Sequence, residues 1–459
     1  MGPNFTRPAP PDTNRYTREL QAQATVSVNG KRQNFIFNNS LVAQWWKLFK
    51  SPELDRLVNK AIANNPTLKS SEASLRQSQD SMRAAYGVFF PQLSANIATS
   101  RQKTSLAGQN SPTGSKIFNL ITLSGSVSYA LDVFGGARRT VESLRAQADY
   151  QRYENVAAYL ILSSNVVNTT IARSAYGQEA ILTQQIIQLE KQELALTQAQ
   201  IKAGKVSFSN ELTVQGLIAS DEANLASLSQ EISQSEHLLA TLEGLFPSQF
   251  KEPNIKLKEF VLPNHLPISL PSEIVNQRPD ILEAESLMHV ASAKIGVATA
   301  LMFPSFSLNG TFGTSGSSFG NLTAASGKFW SIGPSATIPL FQGTTLWFGR
   351  RAAIDAYQQS QANYRQTVLS AFAQVADSLK ALEHDAEMTK ADLDAKHFAN
   401  QELKLLKANY KAGLIDYLPV LTADIQYHQT SLVYLQAKAE RLQDTVALFV
   451  ALGGGWWNA

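Results

Sequence analysis

The residues best suited to acid–base or metal chemistry are six histidines, at positions 237, 265, 289, 384, 397 and 428. A helical zinc site needs two histidines about four residues apart, or His-Glu-x-x-His, so that both rings reach one metal. Neither spacing occurs. Cysteine is absent, which removes thiolate ligands, thiol nucleophiles and disulfides together. There is no Gly-x-Gly-x-x-Gly and no phosphate-loop motif, so nothing here cradles a nucleotide. The nearest approach to a catalytic group is Glu383-His384-Asp385. Consecutive helical side chains point in different directions, so these three read as surface charge. The expectation is a protein that is not an enzyme and holds neither cofactor nor metal.

Composition narrows the classes further. At 459 residues the chain can bury a large core. Charged residues make up 17%, below the roughly 25% of an ordinary soluble protein. A net charge of +3, with no run of Lys or Arg, argues against nucleic acid. No stretch approaches the length of a membrane-spanning apolar helix, and none reads as a signal peptide. If the chain enters a membrane, it must do so as β-strands.

The chain is written twice. A helical stretch runs from Pro66 to Phe90-Pro91 and another from Pro279 to Phe303-Pro304, with start and end both 213 residues apart. Leu131 to Gly136 is echoed by Ile338 to Gly343, Lys202-Ala203-Gly204 by Lys411-Ala412-Gly413, and Leu242-Glu243-Gly244 by Leu452-Gly453-Gly454. Shared order and near-constant offset predict an internal structural repeat. The predicted division is an N-terminal and equatorial segment over 1–65, a first repeat over 66–248, a linker over 249–278 and a second repeat over 279–459. Strands are predicted at about 92–104, 118–131, 304–314 and 329–341. Long helices are predicted at about 136–204 and 348–412, with return helices at about 209–244 and 419–452.

In the predicted strands apolar residues alternate with small polar ones. Leu93, Ala95 and Ile97 are set against Ser94 and Asn96. Ile121, Leu123, Val127, Tyr129 and Leu131 are set against Thr122, Ser124, Ser126 and Ser128. Phe306, Leu308 and Phe312, then Trp330, Ile332, Ile338 and Leu340, repeat the pattern. Period two gives one face to an apolar medium and the other to water, and runs of about ten residues suit a tilted bilayer strand. An ordinary antiparallel sheet backed by a soluble core is the alternative. The small, uncharged polar face argues for a wet lumen instead. The joining loops, around Ser105 to Ser115 and Thr314 to Gly327, read as mobile extracellular turns. Four strands cannot close a barrel, for which about eight is the lower limit, so several chains must pool them.

The long segments lack proline and would each make a helix roughly 100 Å long, which requires a continuous packing seam. Val368, Phe372, Val375, Leu379 and Leu382 supply one at heptad spacing, as do Leu182, Ile186 and Leu189. Gly204 and Gly413 read as helix-ending glycines, so the chain forms two helical hairpins. Their turns, at 204–210 and 413–419, are expected at the end away from the strands. Paired Arg138-Arg139 and Arg350-Arg351 open the long helices and are candidate headgroup anchors.

The sequence resembles the TolC family of outer-membrane factors, specifically the lipoprotein branch (OprM-like, NodT) that serves RND multidrug pumps. The resemblance rests on Trp45-Trp46-Lys47-Leu48-Phe49 with Pro52 and Leu54, and on Gln277-Arg278-Pro279-Asp280-Ile281-Leu282-Glu283-Ala284-Glu285. Ala300 to Ser305 and Ala451-Leu452-Gly453-Gly454-Gly455-Trp456 extend it nearly end to end. It implies a mainly α protein with membrane β: a homotrimer pooling four strands per chain into a twelve-stranded barrel, above a coiled-coil helical tunnel. It also implies an outer-membrane location, a periplasmic membrane-fusion adaptor, an inner-membrane RND pump and contact with outer-membrane lipid. An acylated cysteine is expected shortly upstream of Gly2-Pro3-Asn4-Phe5.

The implied function is a passive exit duct for drugs or other small toxic solutes. A type I protein-secretion duct and a non-transport coiled-coil scaffold are the alternatives. In the family, aspartates lie a few residues past the tip glycine. The equivalent positions here are Pro419 and Thr422, with Asp416 and Asp424 the nearby acids. The expected periplasmic gate is therefore Asp416, Tyr417, Leu418 and Asp424 in one turn, with Phe208 and Glu211 in the other. The expected adaptor contacts are Gly204, Lys205, Ser207, Gly413 and Leu414.

Overall fold

The computed structural model describes residues 1–13, 15–19, 21–37, 41–104, 116–251 and 255–458. It is mainly helical with a few strands. In chain order the elements are β1 (Asn34–Phe37), α1 (Pro52–Asn64), α2 (Pro66–Ala85), β2 (Gln92–Thr104), β3 (Lys116–Leu131), α3 (Gly136–Lys202) and α4 (Phe208–Leu242). They continue with β4 (His265–Ile268), α5 (Pro271–Gln277), α6 (Pro279–Ala300), β5 (Ser305–Gly316), β6 (Lys328–Thr337), α7 (Thr345–Lys411) and α8 (Leu418–Ala451). Two compact units are formed, each drawing on both halves of the chain.

One unit comprises Met1–Pro8, Ser74–Gln151 and Glu283–Tyr364. Its sheet is antiparallel throughout, in the order β2-β3-β5-β6. Register decides which residues share a face. Leu93 pairs with Val127 and Ile97 with Leu123. Tyr129 pairs with Leu308 and Leu131 with Phe306, and Phe312 pairs with Trp330. All of these fall on one face, which is apolar. The other face gathers Ser94, Ser126, Ser128, Asn309 and Ser307, and these bond to one another: Ser94 to Ser126 at 2.7 Å, Ser128 Oγ to Asn309 at 2.9 Å, Asn309 Nδ2 to Ser307 at 2.9 Å. A single register therefore sorts four strands into one mainly apolar and one mainly small-polar surface, with Phe118, Leu120 and Phe329 on the latter at the loop end.

Three details differ from the sequence expectation. The fourth strand ends at Thr337 rather than near 341. Pro339 has no N–H for a ladder, and Ile338, Leu340 and Phe341 are exposed beyond it. The segment expected as a loop over 314–327 extends β5 to Gly316 and then makes 3-10 turns at Phe319–Thr323 and Ala325–Gly327. Helix α7 begins at Thr345, three residues earlier than expected. The loop expected over 105–115 lies outside the described residues.

The other unit comprises Ala9–Ala73, Arg152–Leu282 and Arg365–Ala459. Its core is built on Trp45, Trp46, Phe49 and Phe449, all essentially inaccessible to solvent. Trp46 Nε1 donates to Asp55 at 2.9 Å, which satisfies the buried indole. Ser51 caps α1 by accepting from the Leu54 N–H, and Pro52 follows where its missing N–H costs nothing. The heptad seam of α7 is buried at Val368, Val375, Leu379 and Leu382.

Arg278 explains two of the sequence motifs at once. It grips Asp280 with Nε at 3.0 Å and Nη2 at 2.7 Å, and its Nη1 donates to the Ala451 carbonyl at 2.8 Å. Trp456 Nε1 donates to the Gln277 carbonyl at 2.8 Å. The Arg-Pro-Asp and Gly-Gly-Gly-Trp segments thus meet, and the arginine closes the end of α8.

Helices α3, α4, α7 and α8 each end in a left-handed glycine, at Gly204, Gly244, Gly413 and Gly453, with φ between 67° and 91°. In each the glycine N–H and the next N–H bond back over the last turn, as Gly413 to Tyr410 and Leu414 to Asn409 at 2.9 Å. The residue matching Gly244 is therefore Gly453, one place earlier than the sequence match suggests. A Cβ at Gly204 or Gly413 meets nothing, whereas at Gly453 it falls 2.9 Å from the Gln277 oxygen. Gly413→Ala should therefore cost only the backbone penalty of about 1 kcal/mol. Gly453→Ala should cost clearly more in the same denaturant titration, because strain and a steric clash combine.

Candidate functional site

The residues expected to act as gate and contact surface lie on two turns, and each turn is assembled within its own hairpin. The α3–α4 turn opens with Gly204 and Lys205, both exposed. Ser207 caps α4 by accepting from the Ser209 N–H at 3.3 Å. Phe208 then stands 59% exposed at the head of the helix. Glu211 lies in the first turn of α4, where the helix N-terminus favours a carboxylate. It accepts from Gln198 Nε2 at 2.7 Å and from Gln215 Nε2 at 3.2 Å, so it ties the two arms of the hairpin together.

The α7–α8 turn is more apolar. Leu403, Val420 and Ala423 are buried beneath it, with Leu406, Ile415 and Tyr427 packed against them. Above this cluster Leu414 is 72% exposed and Tyr417 is 38% exposed. The Tyr417 ring lies 5.1 Å from that of Tyr410. Leu418 is half-buried and its carbonyl accepts from Thr422 Oγ1 at 3.2 Å. Asp416 is exposed. Asp424 is held by Lys407 Nζ at 2.9 Å, with His428 Nε2 at 3.6 Å. The two candidate acids are thus unlike: one is open to solvent and the other is engaged within the hairpin. Burial and the flanking cations Lys407 and Lys396 lower the His428 pKa, against the pull of Asp424.

Glu383, His384 and Asp385 diverge as their helical phase requires. Glu383 accepts from Lys380 at 2.9 Å, His384 faces Glu387 at 3.4 Å, and Asp385 meets Asp444 across α7 and α8. Burial, and then the Asp444 carboxyl beside it, push the Asp385 pKa up. At the start of the long helices, Arg138 pairs with Asp132 at 3.0 Å and Arg139 with Glu142 at 2.6 Å. Arg350 Nε donates to Thr299 at 3.2 Å.

A row of buried polar groups on α3 was not anticipated. Glu179, Thr183, Glu190 and Thr197 are buried, and with the buried Ile186 they stand at spacings of four, three, four and seven residues. This is the heptad seam itself, occupied by carboxyls and hydroxyls in place of leucine. Glu179 accepts from Gln436 Nε2 at 2.9 Å. Glu190 is 2% exposed, and burial, with Asp221 and Glu193 nearby, pushes its pKa up to about 7. The signal was present in the spacing, but it is hidden when only apolar residues are counted.

The sign of its effect on stability follows from linkage. The unfolded carboxyl loses its proton near the ordinary value of 4.5 and the folded one near 7. Between those values the folded state holds the extra proton, so stability falls as pH rises through the window. Glu190→Gln keeps the shape and removes the ionisation. It should raise the thermal midpoint at pH 8 and change it little at pH 4, as measured by differential scanning at both pH values.

The family model described as outer membrane efflux protein matches residues 57–245 and 270–454. The chain is 26% identical over 459 residues to the probable outer membrane lipoprotein SilC of Salmonella typhimurium, covering 99% of this chain and 95% of that one. It is 28% identical over 429 residues to the pyoverdine export outer membrane protein OpmQ of Pseudomonas aeruginosa, covering 90% and 88%. Its fold is similar to that of the outer-membrane channel OprN, with a TM-score of 0.86 at 23% identity over 99% of both chains.

Proposed function

Because the chain belongs to the outer membrane efflux protein family, we propose that copies of it assemble into the exit duct of a tripartite efflux system. It is an outer-membrane channel protein and not an enzyme. The observation that carries the assembly is the sheet. It has one mainly apolar face, one mainly small-polar face, and two edge strands whose outer sides are unpaired among the described residues. Three copies would place β6 of one beside β2 of the next and close twelve strands into a barrel, with the serine-rich face lining the pore. The repeated order of strand pair and helical hairpin is read as an internal duplication, over 66–248 and 279–459. Residues 1–65 and 249–278 are read as the equatorial segments.

The helices α3, α4, α7 and α8 are read as the wall of a periplasmic tunnel. Their turns supply the contact for a periplasmic adaptor, through Gly204, Lys205, Ser207, Gly413 and Leu414, and behind it stands an inner-membrane RND pump. Cargo is selected by the pump. A relative exports pyoverdine, and the present chain is read as passing drugs or other small toxic solutes. A lipid anchor upstream of Gly2 is expected from the resemblance to the lipoprotein branch.

The gate is assigned to Tyr417 and Leu418 as the apolar constriction, with Asp416 giving a ring of carboxylates at the pore mouth. Phe208 and Glu211 stand in the other hairpin. Asp424 is assigned to locking its hairpin through Lys407, which holds the gate shut. In planar bilayers, Leu418→Ser and Lys407→Met should raise single-channel conductance several-fold, and Asp416→Asn should reduce cation selectivity. Unchanged conductance in the first two would place the constriction elsewhere.

A further inference from the structure

Residues 92–131 and 305–337 contain Arg101, Lys103, Lys116 and Lys328 and not a single Asp or Glu. The sheet and its connecting loops are therefore purely cationic. The position of the charges is as informative as their sign. Arg101 and Lys103 stand near the end of β2, and Lys328 opens β6, so all lie at the loop end of the sheet, opposite the helices.

The register places them on the apolar face. Lys103 pairs with Ile117 and Arg101 with Asn119, one row past Thr99 and Ile121. Lys328 pairs with Thr314, next to the Phe312–Trp330 pair. All three cations are exposed, as are Trp330 at 75% and Phe312 at 66%. From Ile121 to Leu131 the strand rises about 34 Å, which at a tilt of about 40° covers about 26 Å of bilayer. Arg101 and Lys103 therefore come just above the hydrocarbon band, and on the other edge Lys328 stands one row past Phe312 and Trp330, aromatic side chains of the kind that settle at the headgroups.

At the opposite end of the sheet Arg138 and Arg139 are neutralised within the chain, by Asp132 and Glu142. At the loop end the barrel segments offer no carboxylate. The counter-charge must come from outside the protein, and on an apolar face at headgroup height its source is the lipid.

We propose that Arg101, Lys103 and Lys328 form a binding site for a phosphate-bearing glycolipid of the outer leaflet. Arg101 and Lys103 sit on one edge strand and Lys328 on the other. Closing the barrel brings Lys328 of one copy toward the Arg101–Lys103 pair of the next. The site is then completed at each seam between copies, where a bound lipid also holds the seam together. This rests on the membrane-barrel reading above.

The test uses the delipidated assembly in detergent. Native mass spectrometry counts lipid adducts after addition of bisphosphorylated lipid A, fully dephosphorylated lipid A or phosphatidylethanolamine. The wild type should retain bisphosphorylated lipid A selectively, and the other two lipids should bind weakly and alike. Affinity should fall about fivefold for each cation removed in Lys328→Gln, Lys103→Gln and Arg101→Gln. The proposal is overturned if wild type treats phosphorylated and dephosphorylated lipid A alike, or if the triple variant binds as wild type does. Should the triple variant fail to assemble, the single variants give the same reading. An intact oligomer without phosphate selectivity overturns this site alone, whereas a wild-type monomer overturns the barrel as well.

Discussion

The constraint from which the rest follows is that a strand edge cannot face hydrocarbon. Strands β2 and β6 flank the sheet, and each leaves a row of backbone N–H and C=O groups without a ladder partner among the described residues. In water such groups are solvated, but in lipid each costs several kcal/mol. Antiparallel order makes the remedy simple. Strand β6 of one copy can continue the ladder on β2 of another without changing the alternation of strand direction. In the proposed barrel the apolar face would be outward and the wet serines would face in. That arrangement accounts for low charge in the barrel segments and for carboxyls appearing only once the chain has left the sheet.

The period-two pattern made the strands legible because neighbouring strands share a register. A face is then visible in each strand before its pairing is known. The end of the fourth strand was not, since Ile338 and Leu340 continue the alternation while Pro339 removes the hydrogen bond that would have used it. The hairpin glycines were legible through their left-handed backbone, but their exact correspondence was not. Three consecutive glycines at 453–455 allow more than one match, and only the capping bonds single out Gly453. Arg278 and Trp456 were visible as motifs without a role. They turn out to bind the start of one helix to the end of another, a contact between residues far apart in sequence.

The candidate site was legible as a location and much less so as chemistry. Glycine spacing marks the turns, and exposed Leu414, Tyr417 and Phe208 make them apolar. Whether an acid there is free depends on which side chain reaches it across the hairpin, and Lys407 reaches Asp424 from seventeen residues away. The buried carboxyls on α3 were missed for a related reason. Glu179 and Glu190 occupy seam positions where a residue is judged by its helical phase, although their polarity suggests the surface. Their carboxyls soften a seam that leucines would lock, and they make its stability fall with rising pH.

The central claim is that the chain is incomplete until several copies pool their strands. The most direct measurement is the native mass of the detergent-solubilised protein by light scattering, corrected for bound detergent. The account predicts a single species near three times 50.2 kDa. A monodisperse monomer, stable without detergent, would mean that the apolar face and the open edges do not meet lipid, and would contradict it.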